Sequence, residues 1–98
     1  MPLLSDIARR KKIRYFLDPI PKDARVLEIG CGAGRLTRRY ASAVRFAVGL
    51  DSASETLVIA KHERPSDLAR KMAFVQTGAS TLPFGAGAFD VVLFGWSL

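Results

Sequence analysis

Closely spaced glycines between two carboxylates are the residues best suited to binding chemistry in this sequence. Gly30, Gly32 and Gly34 alternate directly after a short apolar run. Glycine accepts unusual φ values and lets a ligand approach the backbone closely. Glu28 stands just before the first glycine, and Asp51 follows it by about 20 residues. The pattern predicts a ligand-binding turn between a strand and a helix.

The spacing of the glycines distinguishes this turn from a dinucleotide-binding turn. Dinucleotide-binding turns carry G-x-G-x-x-G and an acidic residue about 20 positions later. Here the third glycine comes one residue earlier, and Glu28 precedes the turn, although Asp51 keeps the later acidic position. A carboxylate at Asp51 would accept the ribose hydroxyls of a dinucleotide or of another adenosyl ligand. The other interpretation of Asp51 is an N-cap or Asx-turn ahead of the next helix, and one side chain can serve both purposes. A nicotinamide or flavin oxidoreductase is therefore less favoured but stays an alternative.

Three motifs, taken in order, resemble the class I S-adenosylmethionine-dependent methyltransferases of the type 11 kind, in their N-terminal, cofactor-binding half. The glycine turn with its preceding glutamate is similar to motif I of that family, and Asp51 to its ribose-binding acid. The stretches 82–84 and 89–93 look like the segment that leads into the family's fourth strand. The resemblance covers about residues 24–98. It implies S-adenosylmethionine as the cofactor and methyl transfer as the reaction.

The resemblance also implies which residues contact the cofactor. From its place in the sequence, Glu28 is expected to hydrogen-bond the backbone of the glycine turn; the resemblance implies that it also helps to hold the methionine ammonium, directly or through water. Many relatives carry an adenine-binding aspartate where this sequence has Gly78, so the Ala79 backbone and the Ser80 hydroxyl are expected to serve the adenine. The implied contacts are Glu28, Gly30, Cys31, Gly32, Gly34, Asp51, Ser52, Gly78, Ala79, Ser80 and Phe94. The catalytic residues stay unknown, because transfer from a sulfonium needs mainly orientation and exclusion of water.

The remaining reactive side chains have simpler interpretations. Cys31 is the single cysteine, which excludes an internal disulfide and fits a reducing cytoplasm. Its small side chain is expected to fill a gap. His62 is the single histidine, so no metal site is expected.

Charge and hydropathy limit the classes of partner that this chain could bind. The net charge is +6, which leaves a non-catalytic adenosyl- or RNA-binding module as a second alternative. No RRM or KH signature supports RNA binding. Apolar runs fall short of the roughly 20 residues of a membrane span, so no membrane partner is expected. We expect a small-molecule acceptor and a cytoplasmic location.

Apolar runs and turn residues predict the elements that position the site. Strands are expected at about 24–29, 46–50, 72–76 and 89–94, and helices at about 35–43 and 54–62, the latter capped by Ser52 or Ser54. Continuous apolar strands alternating with helices indicate a doubly wound, Rossmann-like α/β fold with a parallel sheet. The resemblance implies the strand order 3-2-1-4 with flanking helices, and a ligand crevice at the carboxyl ends of strands one and four.

The two ends of the chain carry further expectations. A first helix is predicted from about Asp6 to Leu17, because its apolar residues recur at helical spacing. Residues 1–98 are expected to form a single domain that lacks the C-terminal part of a complete family member. The fourth strand would then lie at an unblocked sheet edge. We therefore expect self-association through that edge, and no turnover by these residues alone.

Overall fold

The chain alternates strands and helices, as the sequence predicts. The computed structural model describes residues 12–15, 20–77 and 87–94. Its elements are β1 (Lys12–Tyr15), β2 (Arg25–Ile29), α1 (Arg35–Tyr40), β3 (Phe46–Asp51), α2 (Ser54–Glu63), β4 (Met72–Gln76) and β5 (Val91–Phe94). Short 3₁₀ turns at Ala41–Ala43 and Ser66–Leu68 follow α1 and α2. Of the described helices, none has the length and apolar character needed to cross a membrane.

The strands form one parallel sheet in the order β1-β5-β2-β3-β4. In the centre, Leu27 of β2 lies opposite Val48 of β3 and Val92 of β5. The run β4-β3-β2-β5 is the predicted order 3-2-1-4, which is confirmed. Because β3 follows on one side of β2 and β5 on the other, the winding reverses here and leaves a crevice at the strands' carboxyl ends.

The N-terminal segment departs from the prediction. Lys12–Tyr15 is a strand that pairs with β5, from Lys12 opposite Val91 to Tyr15 opposite Phe94. The predicted helix is therefore wrong over these residues, and the rest of its range lies outside the described residues. The edge of β5 presents backbone groups that need partners, and satisfying them outweighs a weak helical preference.

The same pairing corrects the expected open edge of the fourth strand. β5 is an interior strand with neighbours on both sides, β2 and β1. Self-association through a bare β5 edge therefore loses its structural basis. The covering strand comes from sequence ahead of the glycine turn, where the helical spacing of apolar residues predicted another element.

Both faces of the sheet are buried, which explains why the strands read as continuous apolar runs. On one face, Leu27 packs with Phe89, whose ring meets Phe46 edge to face at 6.1 Å between centroids. On the other face, Val26 packs with Tyr40 of α1. α2 covers the same face farther along, over β4.

An ion pair joins the N-terminal ends of β2 and β5, at the end of the sheet opposite the glycine turn. Arg25 Nη2 lies 2.7 Å from Asp90 Oδ1, and Arg25 Nε donates to Asp90 Oδ2 at 3.0 Å. The backbone N–H of Arg25 also donates to that carboxylate at 2.9 Å, and the N–H of Asp90 donates to the Arg25 carbonyl at 2.8 Å. The pairing raises the pKa of the Arg25 guanidinium through its hydrogen bond to Asp90.

The helix boundaries follow the prediction, but the caps do not. α1 ends at Tyr40 and tightens into the 3₁₀ turn, and α2 ends at Glu63, before Pro65. The predicted serine caps of α2 are wrong, since its N-cap is Ala53 and no side chain caps it there. Ser54 is already the first helical residue. The nearby carboxylate of Asp51 accepts the Ala53 N–H instead, at 2.9 Å.

Candidate functional site

The glycine turn connects β2 to α1 through backbone in the left-handed region. The φ angles are 73° at Gly30, 54° at Gly32 and 80° at Gly34. A residue with a Cβ is strained in this region, by roughly 1–2 kcal/mol. The backbone path itself therefore favours glycine at all three positions.

Backbone hydrogen bonds hold the turn against the end of β3. The N–H groups of Gly30 and Cys31 both donate to the carbonyl of Leu50, at 2.8 and 3.0 Å. Within the turn, the N–H of Gly34 donates to the carbonyl of Cys31 at 3.0 Å. The turn and the carboxyl end of β3 thus form one continuous wall of the crevice.

Asp51 ties this wall to the start of α2. Its Oδ2 accepts the Gly32 N–H at 2.8 Å, and its Oδ1 accepts the Ala53 N–H at 2.9 Å. Each carboxylate oxygen has about two acceptor sites, so one site on each oxygen remains after these bonds. The side chain combines an Asx-turn with the capacity to accept two more hydrogen bonds, which is what a ribose diol supplies.

Two glycines of the turn face different surroundings. A Cβ built on Gly32 meets no atom of the described structure within 4 Å. A Cβ built on Gly34 would lie 3.1 Å from Cζ of Phe74 and 3.4 Å from Cβ of Ala60. Gly34 therefore serves close packing inside the protein, whereas Gly32 borders open space next to the Asp51 carboxylate.

Glu28 is a buried carboxylate on β2, on the face covered by α1. Its exposed fraction is 0%. Oε1 accepts the Thr37 hydroxyl at 2.8 Å and the Tyr40 hydroxyl at 2.6 Å. Burial raises the pKa of Glu28, and the hydrogen bonds from Tyr40 and Thr37 oppose that shift. Oε2 is buried as well and has no hydrogen-bond partner among the described residues. The expected bond between Glu28 and the backbone of the glycine turn is therefore wrong, because the hydroxyls of α1 take its place.

Cys31 fills space beneath the turn. Its side chain is buried, and Sγ lies 2.8 Å from the position that a Cβ on Gly49 would take. Burial, followed by the charges of Glu28 and Asp51, raises the pKa of the Cys31 thiol to about 12. The thiol is therefore not a nucleophile at neutral pH, and the packing agrees with the small-residue interpretation.

The structure brings together most of the predicted site residues. The glycines, Cys31 and Asp51 form the turn and the adjoining wall, and Phe94 ends β5 opposite Ile29 of β2. Ser52 is exposed, and its carbonyl accepts the side-chain amide of Gln76 at 3.2 Å. The residues expected to serve the adenine lie outside the described residues; they are Gly78, Ala79 and Ser80.

Sequence reasoning missed two residues of this region, Thr37 and Tyr40. Neither residue receives a role at the site in the sequence analysis. A usable signal was present, because a carboxylate in a buried strand needs donors. A hydroxyl pair spaced three residues apart on the next helix shares one helical face and supplies them.

The wall offers donor and acceptor chemistry suited to an adenosyl amino acid, and the chain's residues fit such a group. Open space adjoins Gly32, Asp51 has acceptor sites left for a diol, and Glu28 keeps one carboxylate oxygen unpartnered within the described structure. Among residues 12–15, 20–77 and 87–94, no cluster of three or more histidine, cysteine or acidic side chains forms a metal site.

Comparison with known proteins assigns this arrangement to a family. A family model described as "Methyltransferase domain" matches residues 26–98. The demethylmenaquinone methyltransferase of Lactococcus lactis subsp. lactis is 34% identical over 76 residues, which are 74% of this chain and 30% of that protein. The chain thus spans less than a third of the length of this curated relative.

Solved structures give the same fold. The YcgJ protein of Bacillus subtilis superposes with a TM-score of 0.68 at 25% identity, over 93% of this chain and 36% of that one. A SAM-dependent methyltransferase of Methanosarcina mazei superposes with a TM-score of 0.64 at 29% identity, over 74% of this chain and 37% of that one.

Proposed function

The chain belongs to the methyltransferase domain family, and from that premise we propose that it binds S-adenosylmethionine at the glycine turn for methyl transfer to a small-molecule acceptor. The solved relative from M. mazei is described as SAM-dependent, which supports the cofactor. The relative from L. lactis is named for demethylmenaquinone, a small molecule, which supports the acceptor class. The activity proposed is that of the whole protein to which this domain contributes.

The observation that carries the proposal is the open face of Gly32 beside the Asp51 carboxylate. Asp51 Oδ2 lies 2.8 Å from the Gly32 nitrogen, so the remaining acceptor sites of the carboxylate lie close to Gly32, whose Cβ position borders open space in the described structure. A ribose seated there could donate both hydroxyls to Asp51 while its ring passes over Gly32. A Cβ at residue 32 would occupy the same space.

The roles of the chain's residues are binding and orientation. When bound, S-adenosylmethionine supplies a methyl group that is already electrophilic. Asp51 accepts hydrogen bonds from the ribose hydroxyls, and Gly32 leaves room for the ligand. Glu28 accepts a hydrogen bond from the ammonium, directly or through water. Following the family resemblance, Gly78, Ala79 and Ser80 serve the adenine. The elevated pKa of Cys31, about 12, keeps its thiol protonated and out of proton transfer.

Calorimetric titration of S-adenosylhomocysteine into two alanine variants tests the proposal. Gly32→Ala and Gly34→Ala both place a Cβ at left-handed φ, so both should lose roughly 1–2 kcal/mol of folding free energy. Gly34→Ala should lose more stability, because its Cβ meets Phe74. Of the two, only Gly32→Ala should lower the affinity for S-adenosylhomocysteine by tenfold or more, because only its Cβ enters open space. Stability is measured in parallel by urea unfolding.

The pairing of variants separates a blocked site from a loosened protein. Equal affinity in Gly32→Ala and wild type would count decisively against ligand binding at this turn. A parallel titration with NAD addresses the oxidoreductase alternative. Tighter binding of NAD than of S-adenosylhomocysteine would reject the methyl-donor assignment while keeping the adenosyl site.

A further inference from the structure

The buried carboxylate of Glu28 is held unevenly. Oε1 receives both hydroxyl donors, from Thr37 at 2.8 Å and from Tyr40 at 2.6 Å. Oε2, equally buried, receives no bond from the described residues. A buried polar atom without a partner is costly and calls for an explanation. One oxygen is thus fixed by α1, and the acceptor sites of the other are unused within the described residues.

The two donors form a built support. Thr37 is fully buried and Tyr40 is buried with 9% exposure, both on α1. Residues three apart share one helical face, so the two hydroxyls reach the same oxygen. Together they use both acceptor sites of Oε1 and so fix the rotation of the carboxyl group. The direction of Oε2 is then set by α1.

We propose that Thr37 and Tyr40 are positioning residues that aim Oε2 of Glu28 at the ammonium of the bound cofactor, directly or through one water. The inference rests on the proposed function, because the ammonium belongs to the methionine part of that ligand. Neither hydroxyl touches the ligand; both act through Glu28. The helix after the glycine turn thereby contributes to ligand selection as well as to folding.

The charge of Glu28 depends on the same two bonds. Tyr40 and Thr37 lower the pKa of Glu28 against the effect of burial. The titratable side chains around it, Tyr40 from α1 and Cys31 from the turn, have their own pKa values raised by burial and by Glu28. Both therefore stay neutral between pH 5 and 8. Removing the two hydroxyls should raise the pKa of Glu28 and weaken ammonium binding first at the acidic end of that range.

Two ligands that differ in the amino-acid group test the inference. S-adenosylhomocysteine carries the ammonium, and 5′-methylthioadenosine lacks it. In Tyr40→Phe/Thr37→Val, which preserves the apolar bulk of both side chains, affinity for S-adenosylhomocysteine should fall about tenfold. Affinity for 5′-methylthioadenosine should change less than twofold. The loss of S-adenosylhomocysteine affinity should grow as the pH falls from 8 to 5.

Controls separate this role from a merely structural one. Leu36→Ala trims a partly buried α1 residue of the Val26 and Tyr40 cluster without touching Glu28, and should change both affinities alike. An equal loss of affinity for both ligands in the double variant, or no loss for either, would overturn this inference but not the proposed function. Failure of wild type to bind either ligand would overturn the proposed function, and this inference with it.

Discussion

Glu28 is subject to opposed electrostatic effects that tie stability to ligand binding. Burial favours its neutral form, and the hydrogen bonds from Tyr40 and Thr37 favour its charged form. Burial is the larger effect, so the pKa of Glu28 in the folded protein lies above its ordinary value of 4.5. Glu28 must be ionised to hold an ammonium, and its ionisation therefore lowers the free energy of unfolding.

Replacing Glu28 should reveal this in the pH dependence of stability. Below pH 4.5 the carboxyl is protonated in both folded and unfolded chains, and its favourable contribution is fully present. Between pH 4.5 and the folded pKa, the unfolded chain is ionised while the folded chain still holds the proton. The contribution is lost over that range, by about 1.4 kcal/mol for each pH unit. The free energy of unfolding of wild type relative to Glu28→Gln should therefore fall between pH 4.5 and 8 in urea titrations. A difference independent of pH would contradict the shift.

Individual site residues divide into those that spacing predicts and those that it does not. Glu28 and Asp51 stand at fixed intervals from the glycines, so the sequence alone predicts that both lie close to the turn. Asp51 bonds the turn directly, whereas Glu28 is buried against α1. Thr37 and Tyr40 become visible only when the burial of Glu28 is known, because burial creates the demand for donors. The Asx-turn of Asp51 was predictable from its place just ahead of α2, and it is observed. The absence of a serine cap was not predictable, since two serines offered suitable local chemistry.

At the scale of elements, the turn and β3 fit together through one small contact. Cys31 of the turn lies over Gly49 of β3, which is also crowded by Phe74 of β4. A Cβ on Gly49 would meet Cys31 Sγ at 2.8 Å and Phe74 Cδ1 at 2.8 Å. Glycine at this position lets the turn pack closely against the sheet.

A double-mutant cycle should measure this fit. Gly49→Ala is expected to destabilise the fold by about 1–3 kcal/mol through overpacking. Cys31→Ala alone should also destabilise, because it leaves a gap over Gly49. Combined, the two changes should cost somewhat less than their sum, since the sulfur no longer opposes the new methyl group. The relief is partial, because the Cβ of residue 31, at 2.9 Å, and Phe74 still crowd it. Gly87→Ala, with no atom within 4 Å of its Cβ, is the control. Simple additivity in chemical denaturation would show that the two residues do not couple.

Elements were predictable where local pattern and tertiary pairing agree. The strands that became β2, β3 and β4 were placed within a residue of their observed bounds, because each is an apolar run enclosed by turn residues. β1 was not, since a segment of mixed charged and apolar residues has no strong local preference. Its conformation is decided by the edge of β5, a partner far away in sequence.

For the molecule as a whole, β1 changes what the sheet presents to solvent. With β1 in place, the edges of the described sheet are β1 and β4, and the apolar strand β5 is interior. Three of the four residues of β5 are buried, and the fourth, Phe94, is half-buried. Without β1, the strand would expose a row of backbone groups that could pair with another copy. We therefore expect β1 to guard against association through the β5 edge.

Proline substitution in β1 should uncover this edge. Successive residues of a strand direct their N–H groups to opposite sides, so one of two adjacent residues in β1 donates to β5. Ile13→Pro/Arg14→Pro removes that donor and blocks the extended pairing. Amides of β5 directed toward β1 should then exchange hydrogen faster, while those directed toward β2 stay protected. Light scattering should show self-association that grows with concentration, whereas Ile13→Val/Arg14→Lys, which keeps every N–H, should behave as wild type. Unchanged β5 protection together with unchanged mass in the proline variant would refute the guarding role of β1, and would return the segment to the helix that its spacing first predicted.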